Sequence, residues 1–181
     1  MRTQSAALGF ICTFSAASAQ SFVLLNDAPG GQVEVGESVT ITLQFVPSQP
    51  NEVLAGSVFD FTRLPSSVGD GLASPGTWLV PGLLIGSGTP SGADLLGARY
   101  VQIPSNFNTV GSIFEFEWMA SDIGQVELNV VSINAIAGQM GANGGTPFFS
   151  SDSTSFTVII PAPATPAITA LGLFAACRRR R

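Results

Sequence analysis

The sequence predicts an all-β protein: a single antiparallel β-sandwich or jelly roll of about nine strands, flanked by an N-terminal signal peptide and a short C-terminal transmembrane helix. Three observations carry this. Between residues 21 and 160 apolar residues recur with a period of two, the repeat of a strand with one face in a core. Breakers are frequent, 20 Gly and 12 Pro in a chain that is 45% hydrophobic and 10% charged, which suits short strands joined by turns and not long helices. The ends also differ from the middle: all twelve acids lie between residues 20 and 160 against Arg63 and Arg99, a net −10, while the other five Arg sit at the two ends. With 181 residues there is room for one domain with a sizeable core.

In chain order, residues 1–19 read as a signal peptide. Arg2 supplies the positive start, Ala6 to Phe14 the apolar run, and Ala17-Ser18-Ala19 the small-residue cleavage site before Gln20. The extracellular domain spans 20–160. Its strands are expected at 22–25, 32–35, 37–46, 53–62, 78–85, 98–103, 112–119, 125–133 and 154–160. The alternation is plainest where Val39, Ile41, Leu43 and Phe45 interleave with polar residues, and where Phe114, Phe116 and Trp118 interleave with Glu115 and Glu117. The Gly-rich stretches 86–92 and 138–145 read as surface loops; neither is followed by the Lys or helix that a phosphate cradle requires.

After residue 160 comes Pro161-Ala162-Pro163-Ala164-Thr165-Pro166, a linker that cannot join a sheet interior. Residues 167–177 form an apolar membrane segment and Arg178, Arg179, Arg180 and Arg181 a basic tail, oriented with the body outside and the arginines inside. From Ala162 the low-charge run is sixteen residues, just under the roughly 17 to 25 of a spanning helix. Pro161-Ala162-Pro163, a short apolar segment and a terminal Arg cluster resemble the PEP-CTERM sorting signal. The family motif is Pro-Glu-Pro, and Ala162 stands in place of the Glu. The resemblance implies export, retention at the membrane, and cleavage near the Pro motif by an exosortase-type enzyme, often in bacteria that make exopolysaccharide. A permanent C-terminal anchor is the alternative.

Within the body, Gly31-Gln32-Val33-Glu34-Val35-Gly36-Glu37-Ser38-Val39-Thr40-Ile41-Thr42-Leu43 and Ile113-Phe114-Glu115-Phe116 resemble cohesin-like and bacterial immunoglobulin-like sandwiches. That resemblance implies architecture: cohesins bind dockerin modules and related sandwiches bind carbohydrate, but no diagnostic binding motif is present.

Composition excludes much chemistry. The chain has no His and no Lys, and its two cysteines, Cys12 and Cys177, both fall in the end segments. A Ser-His-Asp triad, a Cys-His pair, a Lys base and a thiolate or imidazole metal site are therefore absent from the body. Its negative charge argues against nucleic-acid binding. Carboxylates remain. If residues 112–119 and 125–133 form a hairpin turning near Asp122, Glu117 falls opposite Glu127 and Glu115 opposite Asn129 on the polar face. Like charges so placed repel, so the register differs, the side chains splay into solvent, or a cation sits between them; Ca2+, needing about six oxygens, is the metal that fits. Trp118 is in phase with the core, whereas Trp78 follows Ser74-Pro75-Gly76-Thr77 and is the candidate exposed platform for a sugar. The expected function is a non-enzymatic cell-surface or matrix protein in contact with exopolysaccharide or another surface protein. A carbohydrate-binding or cohesin-type module and a carboxylate-dependent glycosidase are the alternatives.

Overall fold

A computed structural model describes residues 19–162. The expected signal segment through residue 18, and the expected tail from Pro163 through the apolar segment to Arg181, lie outside the described residues.

Twelve strands form two packed sheets. They are β1 (Ser21–Asn26), β2 (Gln32–Glu34), β3 (Ser38–Val46), β4 (Glu52–Arg63), β5 (Asp70–Ala73), β6 (Thr77–Trp78), β7 (Leu84–Ser91), β8 (Asp94–Val101), β9 (Gly111–Asp122), β10 (Gly124–Gln139), β11 (Thr146–Phe148) and β12 (Ser151–Ile159). The smaller sheet runs β1-β3-β9-β5, with β6 also on β9; the larger runs β2-β12-β10-β4-β8-β7, with β11 on β10. The all-β sandwich expected from the period of two is present, with one parallel pair, β2 against β12, in otherwise antiparallel sheets. The one helical element described is a 3-10 turn at Pro29–Gly31.

The core lies where the alternation placed it. Val39, Ile41, Leu43 and Phe45 of β3 and Phe114, Phe116 and Trp118 of β9, on the smaller sheet, face Phe59 and Phe61 of β4 and Val126, Leu128 and Val130 of β10 on the larger, all buried. Aromatic rings fill the middle: Phe61 lies 5.5 Å from Phe114 and 5.0 Å from Phe116. Trp118 meets Phe156 edge-on at 5.2 Å and donates its Nε1–H to the Ala93 carbonyl, so its indole is satisfied inside the core.

The expected hairpin between residues 112–119 and 125–133 does not form. β9 pairs with β3, β5 and β6, whereas β10 pairs with β4, β11 and β12, so the chain changes sheet across Ile123. Strand corners of this kind let one continuous apolar pattern serve both layers. Gly124 makes the corner with φ +133, and a Cβ there would come within 2.7 Å of the Gly69 nitrogen and 2.9 Å of the Val68 Cβ. Further along β10, Asn134 adopts φ 55 at a register shift. Beyond it Ala135 and Ala137 turn inward in place of the even-numbered residues, which extends the strand past its expected end.

The other departures fall at edges. The single strand expected at 78–85 is the two-residue β6 followed by an irregular stretch, and the Gly-rich loop expected at 86–92 lies mostly within β7. An edge strand needs no large inward side chains, and it tolerates Pro90 because one side of its backbone is free of ladder bonds. β5 and β11, also short and poor in apolar alternation, are likewise additions to the expected set. The loop expected at 138–145 is shortened, since Gly138 and Gln139 close β10.

Both open sides of the sandwich are stitched. On one, Phe22 N–H donates to Ser150 Oγ (3.0 Å), Leu24 N–H to Asp152 Oδ2 (2.8 Å) and Asn26 Nδ2 to Thr154 Oγ1 (2.6 Å), joining β1 to β12 and the residue before it. On the other, Ala73 N–H donates to the Gly92 carbonyl and Gly76 N–H to Ser87, each at 2.8 Å. Edge donors that would otherwise invite another chain are thereby used internally.

Candidate functional site

The structure separates the acidic cluster. Glu115 and Glu117 lie on the outer face of the smaller sheet, Glu115 between Thr42 and Thr77 and Glu117 beside Thr40. They border a hollow of about 340 Å3 with Thr40, Ser74 and Thr77. Glu127 belongs to the other sheet, paired with Ser155, and accepts a hydrogen bond from Ser153 Oγ at 3.2 Å. The face-to-face register expected for Glu117 and Glu127 is thus corrected: the chain switches layers between them. Among the described residues no group of three or more His, Cys, Asp or Glu stands close enough to hold a metal ion.

Trp78, the expected exposed platform, is partly buried against the core. Its ring packs 4.8 Å from Tyr100, 4.8 Å from Phe114 and 6.0 Å from Phe59, and its Nε1–H donates to the Gly86 carbonyl at 3.0 Å. It packs at the margin of the core beside β7 and remains partly exposed. Beside it Tyr100 is buried, its hydroxyl donating to the Pro81 carbonyl at 2.7 Å, and burial pushes its pKa up to about 12.

Other carboxylates serve the backbone. Asp27 accepts Thr40 N–H (2.7 Å), Asp60 accepts Gly97 N–H (2.7 Å) and Asp94 accepts Arg63 N–H (2.8 Å). The Arg63 guanidinium lies 3.4 Å from Asp70 and donates to the Ser67 and Gly69 carbonyls. Asp27, Asp60 and Asp94 thus bind backbone N–H groups of β3, β8 and β4, and in sequence they look like surface charge because those partners are 13 to 37 residues away.

Of the expected processing sites, Ala19 and Gln20 immediately precede β1, and Pro161 and Ala162 follow β12. Ala19, Pro161 and Ala162 are exposed. Ala17, Pro163 and Arg178 to Arg181 lie outside the described residues.

The surface feature that sequence reasoning missed is an apolar groove of about 200 Å3 on the outer face of the larger sheet. Across the strands, Leu84, Val101, Gly56 and Ile136 form one row, and Arg99, Val58 and Ile133 the next. Gly56 leaves the floor open, and Ile103 and Ile133 remain 48% and 40% exposed at its sides. Arg99 is exposed and forms no ion pair among the described residues. The clue in the sequence was Val58, Val101 and Ile133 at positions that alternation assigns to the solvent side; Ile136 joins them only through the change of parity at Asn134, and which of them share a face depended on strand order.

No family model matches the chain, and no curated protein matches it in sequence. Solved structures that match the chain include the following three. A cohesin module from the family 33 glycoside hydrolase of Clostridium perfringens shares 10% identity over 77% of this chain and 98% of that one, with a TM-score of 0.47. AvmM, which catalyses macrocyclization in alchivemycin A biosynthesis, shares 9% over 80% and 91%, TM-score 0.38. A conjugative transposon lipoprotein from Bacteroides eggerthii shares 14% over 76% and 95%, TM-score 0.34.

Proposed function

We propose that the chain is an exported, non-enzymatic bacterial surface or matrix protein. A signal segment is removed after Ala19, the sandwich is displayed outside the membrane, and residues 167–177 hold the protein there. An exosortase-type enzyme then cuts near Pro161-Ala162-Pro163, and the body associates with exopolysaccharide or another surface protein. The observation that carries this reading is the placement of the two junctions: Ala19 on one side and Pro161 and Ala162 on the other are exposed and outside the strands, so both cuts leave the core intact. The use of carboxylates as backbone hydrogen-bond acceptors supports a structural role over catalysis.

Mass spectrometry of the protein recovered from the surface of its host tests the reading. A C-terminus between residues 160 and 166 is the expected result; an intact Arg181 in surface-exposed protein would overturn the processing step. Hydrolysis of a polysaccharide by the purified protein, abolished by changing a single Glu, would overturn the non-enzymatic reading.

The groove favours one further reading, a protein-interaction module. Its walls are aliphatic, without the aromatic platform that sugars stack on, and Arg99 stands alongside. The occupant of matching chemistry is an extended aliphatic segment of another protein that carries a carboxylate to meet Arg99.

A further inference from the structure

Glu52 is a buried carboxylate without a cation. It is 6% exposed, at the start of β4, and its oxygens are turned into the chain: Oε2 accepts Ser48 N–H at 2.7 Å, Ser48 Oγ–H at 2.9 Å and Gln49 N–H at 3.3 Å. Oε1 accepts a hydrogen bond of 2.6 Å from Gln20 Nε2. Burial acts to raise its pKa, but the hydrogen bonds from Gln20, Ser48 and Gln49 together outweigh burial, and the group is held below the usual carboxylate value. It therefore stays ionised in a place where an unpaired charge is costly. The surrounding cavity, about 620 Å3, is walled by Ala19, Gln20 and the turn before β4, with the end of β10 and the loop after it opposite; none of its other lining residues is charged. Among the described residues the one ion pair is Arg63 with Asp70, and Arg99 lies in the groove described above.

A cation can still come from the chain itself. We propose that Glu52 is the counter-ion of the processed N-terminus: removal of residues 1–19 leaves an α-ammonium on Gln20 at the wall of this cavity, and the Glu52 carboxylate receives it. The Gln20 backbone nitrogen is within about 6 Å of its own Nε2 by covalent geometry, and that Nε2 already touches Glu52. Ala19 lines the same cavity, so the severed bond lies at its rim. Processing then completes the domain: the residue that begins the mature chain supplies the charge its interior lacks. The inference rests on the proposed cleavage after Ala19.

The sign of the pH dependence follows. An α-ammonium paired with Glu52 has its folded pKa raised above the ordinary value of about 8, so the stabilisation is complete below that value and is lost as pH rises through the raised one. The experiment compares two chains that both continue to Arg181, one beginning at Gln20 and one retaining Ala17-Ser18-Ala19 before it, with intact mass showing that Gln20 has not lost ammonia. In urea at pH 6 the chain beginning at Gln20 is expected to show a folded-to-unfolded ratio larger by roughly ten-fold, corresponding to one pKa unit of the amine. The gap should close at pH 10 and vanish in the E52Q pair. Equal midpoints at pH 6, or a gap that survives E52Q, would overturn the proposal. Should E52Q fail to fold, the α-amine is titrated directly in the wild-type protein: a pKa raised by about one unit supports the ion pair and an ordinary value of about 8 refutes it. N-terminal sequencing of the protein from its host separates the two layers of the argument, since a start other than Gln20 overturns the cleavage reading while the stability gap still reports capture of the ammonium by Glu52.

Discussion

Replacing Trp78 with alanine distinguishes a packing tryptophan from a binding platform. The indole contacts three aromatic rings, Tyr100 and Phe114 at 4.8 Å and Phe59 at 6.0 Å, and its Nε1–H meets the Gly86 carbonyl at 3.0 Å. Truncating a fully buried tryptophan costs about 3–5 kcal/mol; because Trp78 retains some exposure, the low end applies, about 3 kcal/mol. For a domain of this size that lowers Tm by roughly 10 °C. Trp78→Phe keeps most ring contacts but leaves the Gly86 carbonyl without its donor, and should cost about 1 kcal/mol. Urea and thermal unfolding followed by far-UV circular dichroism measure both, and Trp118 remains as a fluorescent reporter of the core. An unchanged Tm in Trp78→Ala, accompanied by loss of glycan binding on an array, would refute the packing assignment and restore the platform.

Four further outcomes follow from the same geometry. Gly124→Ala should destabilise by about 2 kcal/mol or more in urea unfolding, since the corner combines a positive φ with backbone 2.7 Å from the added carbon. Tyr100 has its folded pKa raised above the unfolded value, so its contribution is intact below pH 10 and falls between pH 10 and about 12; Tyr100→Phe should remove that alkaline loss from the pH-stability profile. Asp152→Ala strips the acceptor from Leu24 N–H on β1 and should cost about 1–2 kcal/mol, with light scattering reporting increased self-association through the opened edge. Gly56→Ala should leave the unfolding free energy within about 0.5 kcal/mol of wild type, because the new Cβ meets Tyr100 O at 3.5 Å and Val101 Cγ2 at 3.9 Å, ordinary contacts; combined with Arg99→Glu it should abolish capture of an acidic aliphatic peptide if the groove is a binding surface.

How far the sequence reached depended on whether a residue's partner could be read from its own neighbourhood. The alternation along β3 and β9 located Ile41, Leu43, Phe116 and Trp118 in the core, because a period of two needs no knowledge of which strand lies alongside. The same alternation continues through β9 and β10, and from it a hairpin was the natural expectation; the change of sheet at Ile123 lies in a dihedral angle of Gly124, which composition does not disclose. Trp78 appeared exposed because its local surroundings are Ser, Pro, Gly and Thr, whereas Tyr100 and Phe114, the rings that cover it, come from β8 and β9. Glu52 looked like one acid among twelve until the fold brought Gln20 and Ser48 onto it.

The sequence by itself determined the all-β class, the acidic and catalytically restricted body, and the expectation of export from its two ends. Those are properties of residue type and of spacing along the chain. Tertiary structure alone decided that Glu117 and Glu127 lie on different sheets, that Val58, Val101 and Ile133 meet around Gly56 to make a groove, and that an ionised Glu52 waits beside Gln20. The physical reason is common to all three: strand order brings together residues separated by tens of positions, and charge repulsion, groove shape and ion pairing depend on distance in space, which a one-dimensional pattern does not contain.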